Sequence, residues 1–130
     1  RASIVALNRR YTQVFSELDQ QAASLRAKIS AEESSLKTET DAYQNELNQL
    51  NSDIQSFNQR AASGDFSSQE FYATRSALSG RVASLNSQQN QLNTRISAYN
   101  TMIAEYNKLA VRAQQLNQSM NGVSAPSEVK

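Results

Sequence analysis

Cysteine and histidine are both absent from this 130-residue sequence. Their absence removes the usual zinc ligands, the disulfide bond, the thiol nucleophile and the imidazole base together. Glu32 and Glu33 come closest to a pair of carboxylates, but neighbouring side chains on a helix point about 100° apart and cannot converge on one atom. The sequence also contains no glycine-rich phosphate loop or catalytic triad pattern. We therefore predict a protein that is not an enzyme and that binds no metal ion or cofactor.

Tryptophan is absent as well, and the chain has only three glycines and one proline. With 38% hydrophobic and 7% aromatic residues, it has little material for a thick globular core. Ser, Asn, Gln and Ala take the places that strand-forming and turn-forming residues usually fill. This composition predicts an elongated helical protein.

The sequence has no excess of charge of one sign and no long apolar run. The chain has thirteen Lys and Arg residues and twelve Asp and Glu residues, which gives a net charge of +1, and the basic residues form no block. A phosphate backbone would find no basic surface to bind, so we expect no nucleic-acid partner. No apolar run approaches the roughly 18 residues of a membrane span, so we expect no direct membrane insertion. The start at Arg1, without a signal-peptide pattern, suggests a segment of a longer protein.

One short stretch near the middle interrupts the helical pattern. Gly64 can adopt the left-handed conformation that ends a helix, and Ser67 with Glu70 has the spacing of a capping box at the start of another. Phe66 and Phe71 then occupy the two positions of a hydrophobic staple. These signals predict a helix over residues 3–62, a turn over 63–67, a second helix over 68–121 and a flexible C-terminal tail over 122–130.

Apolar residues recur every seven positions on both sides of this turn, and companion residues follow four positions later. Such a heptad pattern is typical of a coiled coil, and we call the repeating line the seam. On the first helix the step from Leu25 to Leu36 is eleven and polar, which indicates a stutter. The seam comprises Ile4, Tyr11, Leu18, Leu25, Leu36, Tyr43, Leu50 and Phe57, then Leu78, Leu85, Leu92, Tyr99, Tyr106 and Ala113; companions on the second helix include Val82 and Ile96.

Charges beside the seam indicate that the two helices pair with each other. In an antiparallel coil, the residue numbers of two facing residues add up to the same value all along the interface. At one such value, acidic residues of the first helix face basic residues of the second. The pairs that sum to 134 are Asp53 with Arg81, Glu46 with Gln88, and Glu39 with Arg95. Because charges of this kind select orientation and register, we predict an all-α fold, a long antiparallel two-helix coiled-coil hairpin.

Amide side chains occupy the other flank of the seam at heptad spacing. One interpretation is that they hydrogen-bond across the helix interface; the other is that they only solvate the edge of the coil. These residues are Gln44, Asn51 and Asn58 on the first helix and Asn86, Asn93, Asn100 and Asn107 on the second.

Towards the open end of the hairpin, the charged flank becomes apolar on both helices. Pairing of two helices alone would leave part of this wide face in water. We expect a protein partner there, either a second hairpin in a homodimeric four-helix bundle or other parts of the parent protein. The alternative is that the two helices share these side chains between themselves. The docking-face residues are Leu7, Val14, Met102, Leu109 and Leu116.

The turn is the other candidate surface, because exposed loops on a rigid scaffold often make functional contacts. It would present Asp65, Phe66, Ser68 and Gln69 to a partner. The structural alternative is that the staple already accounts for Phe66.

Two resemblances accompany these patterns. The segment from Phe66 to Phe71 resembles the turn of the helical hairpins in periplasmic adaptor proteins of efflux pumps, which implies tip contact with an outer-membrane channel. Arg60 and Ser56 stand where that family has Leu and Arg residues that help to make the contact. The segment from Tyr99 to Asn107 is similar to the Tyr-Asn heptads of coiled-coil hairpin regions in bacterial extracytoplasmic proteins, some of them attached to matrixin-like metalloproteases. This similarity implies an exported bacterial protein and assigns no activity.

Together, these observations predict a non-catalytic structural segment that acts as a spacer or as an oligomerisation or docking arm of a larger protein. The alternative is a recognition hairpin that contacts a protein partner through its tip.

Overall fold

The computed structural model describes the backbone of residues 2–124 and the side chains of residues 2–119. This part of the chain forms two helices, α1 (Ala2–Ser63) and α2 (Ser68–Ser124), and contains no strand. The predicted all-α helical hairpin is confirmed. Each end of α1 lies one residue outside the predicted range.

The predicted end of the second helix is wrong, because α2 continues through Gly122 to Ser124. A glycine weakens a helix by about 1 kcal/mol but ends it only where the backbone turns left-handed. Among the described residues, only Gly64 has a positive φ. The first three residues of the predicted tail therefore belong to α2, and residues 125–130 lie outside the described part of the chain.

Both helices are built from residues that favour this conformation. α1 contains neither glycine nor proline, and both helices contain many Ala, Leu and Gln residues. Helix propensity alone is weak, so most of the stability of a protein helix comes from packing of its apolar face. The two helices therefore depend on contact with each other.

The chain divides into two compact units. Unit 1 comprises residues 1–33 and 98–130, and unit 2 comprises residues 34–97. On α1 the division falls between Glu33 and Ser34, inside the polar interval where the sequence predicts a stutter between Leu25 and Leu36. Both helices run through the division without a break.

Unit 2 contains the turn and a small leucine core. Leu50 is only 3% exposed and clusters with buried Leu78 and Leu85. Leu36 is buried as well. Four further apolar residues pack against the Leu50 cluster: Tyr43, Leu47, Ile54 and Phe57. The predicted seam is thus confirmed in this unit.

The prediction of companion residues on α2 is wrong for Val82, Gln89, Ile96 and Ala110, which are exposed, whereas Ile103 is half-buried as predicted. Val82 and Ile96 are more than a third exposed, whereas Gln88 and Arg95, three residues after a seam leucine, are half-buried. Ion pairs explain the difference, because Arg81 and Arg95 hold this flank of α2 against acidic residues of α1. The opposite edge of α2, with Val82 and Ile96, consequently faces water.

The amide flank is a solvated edge. Its Asn residues are exposed on both helices. Gln44 donates a hydrogen bond of 3.0 Å to Asn48 along its own helix. Among the described residues, these amides therefore do not hydrogen-bond across the helix interface, and the second interpretation holds.

Unit 1 has no fully buried side chain in its described part. The seam residues Tyr11, Leu18 and Leu25 of α1 are half-buried, as are Tyr99 and Tyr106 of α2. The helices also contact each other through Arg26, which donates a hydrogen bond to the Tyr106 hydroxyl. Its guanidinium carbon lies 5.4 Å from the centre of the Tyr106 ring.

Candidate functional site

The turn begins with a complete C-terminal cap of α1. Gly64 has a φ of 72°, and its N–H donates to the Ala61 carbonyl over 3.3 Å. The Asp65 N–H donates to the Arg60 carbonyl over 3.2 Å. These two bonds form a Schellman motif, in which the left-handed residue reverses the chain and satisfies carbonyls of the last turn. The predicted role of Gly64 is confirmed.

Ser67 caps the start of α2. Its hydroxyl accepts a hydrogen bond of 3.2 Å from the Glu70 N–H. The Glu70 carboxylate lies 4.0 Å from the guanidinium of Arg60, on the other side of the turn. The serine half of the predicted capping box is therefore present, and the glutamate joins the two helix ends.

Three phenylalanine rings pack beneath the turn. The Phe66 and Phe71 ring centres are 6.1 Å apart, as the predicted staple requires. Phe57 of the α1 seam adds a third ring, 5.3 Å from Phe66 and 5.2 Å from Phe71. The Arg60 guanidinium carbon lies 4.0 Å from the centre of the Phe66 ring. Phe66 is half-buried in this cluster, so it is engaged in holding the turn.

The remaining tip candidates, Asp65, Ser68 and Gln69, are exposed. The structure adds Tyr72, which at 64% is the most exposed of the large hydrophobic residues whose side chains are described. Its ring meets the edge of Phe71 with 5.4 Å between the centres. The sequence carried a signal for this position, because Tyr72 directly follows a seam-facing residue and so points about 100° away from the seam.

The structure divides the predicted docking face of unit 1 into two groups. Leu7 and Val14 on α1 are 41% and 39% exposed. Met102, Leu109 and Leu116 on α2 are half-buried, and Leu109 lines a groove of about 430 Å³ together with Leu25 of α1. The three α2 residues are thus less exposed than Leu7 and Val14, and Leu109 lies beside α1 of the same chain.

Further apolar side chains lie open near the start of α1. Ile4 and Val5 are more than half exposed, and Phe15 is more than a third exposed.

Ion pairs hold unit 2 in the predicted register. Arg81 donates to Asp53 over 2.7 Å, and Arg95 pairs with Glu39. The Arg81 guanidinium, followed by the amide of Gln49, holds the pKa of Asp53 below its ordinary value. In unit 1, the hydrogen bond to Tyr106 raises the pKa of Arg26.

The third predicted pair, Glu46 with Gln88, forms no hydrogen bond. Both side chains line an open groove of about 290 Å³, which also contains Glu39 and Arg95. The charged residues of this groove, Glu39, Glu46 and Arg95, therefore lie along the interface between the two helices.

The described residues contain no cluster of acidic side chains suited to a metal ion. Within the same range, neither helix includes a stretch apolar enough to span a bilayer.

Fold and surfaces together define an all-α two-helix hairpin with open apolar side chains on α1 of unit 1 and an exposed aromatic residue beside the turn. No protein-family model matches the chain, and comparison with curated proteins and with solved structures gives no significant match.

Proposed function

We propose that this chain is a non-catalytic structural coiled-coil segment that serves as an oligomerisation or docking arm of a larger protein. The contrast in burial between the units supports this proposal. All four buried leucines of the described residues, Leu36, Leu50, Leu78 and Leu85, belong to unit 2. Unit 2 thus has a core of its own and acts as the spacer, whereas unit 1 acts as the arm.

Leu7 and Val14 form the contact surface of this arm. Exposed apolar patches on soluble proteins commonly mark interaction sites, because a partner that covers them removes apolar surface from water. We call Leu7 and Val14, with the neighbouring Ile4, the α1 patch. Its partner is a protein surface, and the resemblance of the Tyr-Asn heptads to those of bacterial extracytoplasmic proteins supports the proposal of such a setting.

Sedimentation of the full chain and of Val14→Ser tests the proposal. We expect the parent to sediment above the 14.4 kDa of one chain, and Val14→Ser to sediment as a monomer with unchanged helicity. The control is Val82→Ser, since Val82 has almost the same exposure but lies in unit 2. Equal masses for the parent and Val14→Ser would show that the α1 patch makes no such contact.

A second candidate function is recognition of a protein partner by the tip, and the exposure of Tyr72 supports it. An exposed tyrosine offers a large contact area at low entropic cost, which is why tyrosine is frequent at binding hot spots. Asp65 and Gln69 are exposed around the same turn.

The tip candidate is tested by Tyr72→Ser and Asp65→Ala. If the tip binds the partner of the parent protein, these variants reduce binding at least tenfold without lowering the melting temperature. Phe66→Ser is the matched comparison, because it disrupts the aromatic cluster and should lower the melting temperature. Undiminished binding by Tyr72→Ser would eliminate this candidate.

A further inference from the structure

The outer side of α1 in unit 1 carries a self-complementary pattern of apolar and charged residues. Leu7 and Val14 lie one heptad apart, and Arg10 and Glu17 follow them by three positions each. At about 100° per residue, three residues fall about 60° short of a full turn, so each charge lies about 60° round the helix from the apolar residue that it follows. All four side chains are exposed.

We propose that a second copy of this chain covers the α1 patch, with the two α1 helices antiparallel about a two-fold axis. This inference rests on the proposed function and identifies the partner and its register. In a two-fold interface every contact occurs twice. We place residues whose numbers add up to 25 opposite each other in the core of the dimer, and we call this number the core sum. Val14 then packs on Tyr11 of the second copy, and Leu7 packs on Leu18. Tyr11 and Leu18 are half-buried in their own chain, so part of each remains available.

The flanking charges agree with this register. In an antiparallel coil, the residue numbers of facing partners on the flank that Arg10 and Glu17 occupy add up to two more than those of facing core residues. Unit 2 follows this rule, because the core residues Ile54 and Leu78 add up to 132 and the flanking pair Asp53 with Arg81 adds up to 134. A core sum of 25 therefore means that facing residues on this flank have numbers that add up to 27, which we call the flank sum. Arg10 of each copy then lies beside Glu17 of the other.

The neighbouring registers bring like charges together. A shift of one heptad in one direction gives a flank sum of 20 and sets Arg10 against Arg10 of the second copy. The opposite shift gives 34 and sets Glu17 against Glu17. Like charges at close range are unfavourable, so the charges select one register of the three.

A parallel pair of α1 helices lacks this complementarity. In a parallel coil, each flank meets the opposite flank of the other helix. Arg10 and Glu17 would then face the flank that contains Asn8 and Phe15, which carries no opposite charge. Within the described residues, neither Arg10 nor Glu17 takes part in an ion pair of its own chain.

Two charge reversals in the full chain test the register. Arg10→Glu produces two acid–acid contacts in the dimer, and Glu17→Arg produces two base–base contacts. We expect each variant alone to dimerise about 30-fold more weakly than the parent. An equimolar mixture should form a heterodimer at the parental affinity, because every acid then meets a base. Native mass spectrometry distinguishes this heterodimer from either homodimer.

Arg9→Glu is the matched control, since it makes the same change of charge on an adjacent exposed residue about 100° away. It should leave the dimer unchanged, and circular dichroism should show parental helicity for all variants. If Val14→Ser dissociates the dimer but the mixture gives no heterodimer, this register is wrong and the proposed function stands. If the parent is a monomer, self-association itself is overturned.

Discussion

Leu50 should be the most sensitive apolar position of unit 2. It is the most deeply buried leucine of the described chain, and it lies in a cluster with Leu78 and Leu85. Leu50→Ala removes the contacts of the side chain and leaves a cavity that a two-helix interface can only partly fill. Substitutions of this kind cost about 2 to 5 kcal/mol. We expect about 3 kcal/mol here, because the cluster is thin and can partly collapse.

Two further substitutions on α2 allow the loss of stability in Leu50→Ala to be compared with that at less buried positions. Leu92 lies on the same seam but is half-buried, so Leu92→Ala should cost about 1 to 2 kcal/mol. Val82 occupies a companion position and is more than a third exposed, so Val82→Ala should cost less than about 1 kcal/mol. The order of the three costs follows burial rather than hydrophobicity alone.

Thermal and urea unfolding, followed by circular dichroism at 222 nm, measure these free energies. For a chain of this size, Leu50→Ala should lower the melting temperature by about 10 °C. Equal costs for Leu50→Ala and Val82→Ala would refute the assignment of the buried edge of α2. No loss of stability in Leu50→Ala would refute the seam itself.

Substitutions at three other positions, with Gly80 as a comparison, should report on the turn and on the ion pair. Gly64→Ala should destabilise the chain by about 1 to 2 kcal/mol, because its φ of 72° is left-handed, although an added Cβ meets no atom within 4 Å. Gly80→Ala, the same change in open space inside α2, should instead stabilise it by about 0.5 to 1 kcal/mol; unfolding curves that showed the same sign for both would contradict the cap. Ser67→Ala should cost about 1 kcal/mol in urea unfolding through loss of the N-cap, whereas Ser67→Asp should be nearly neutral. Because the folded-state pKa of Asp53 is lowered, its contribution is present above the unfolded-state pKa of about 3.9 and is lost as the pH falls through the lower folded-state value. Asp53→Asn should therefore flatten the decline of the melting temperature below about pH 4, and an unchanged decline would show that the pair with Arg81 does not stabilise the fold.

The turn could be predicted almost completely from the sequence. Gly64, Ser67 and the pair of Phe66 with Phe71 act through neighbours within a few residues, so their spacing determines the contacts. Phe57 was missing from that prediction as a member of the ring cluster, because it reaches the turn from the seam of α1. Its contact depends on how the two helices meet.

The candidate surfaces could be predicted only in part. Leu7 and Leu109 share the same flank of the heptad, yet Leu7 is exposed whereas Leu109 packs near Leu25. The heptad pattern describes each helix by itself and treats the two positions alike. The burial of such a flank residue depends on what the facing helix places opposite it, which a single-helix pattern does not contain.

By itself, the sequence determined the all-α class, the position of the reversal, the seam and the ion-pair register of unit 2, because all of these follow from local spacing or from a constant sum of residue numbers. Only the tertiary structure decided which edge of α2 is buried and where apolar side chains stay open. Each seam has two edges of similar polarity, and the choice between them depends on contacts with the facing helix, such as those of Arg81 and Arg95 with α1.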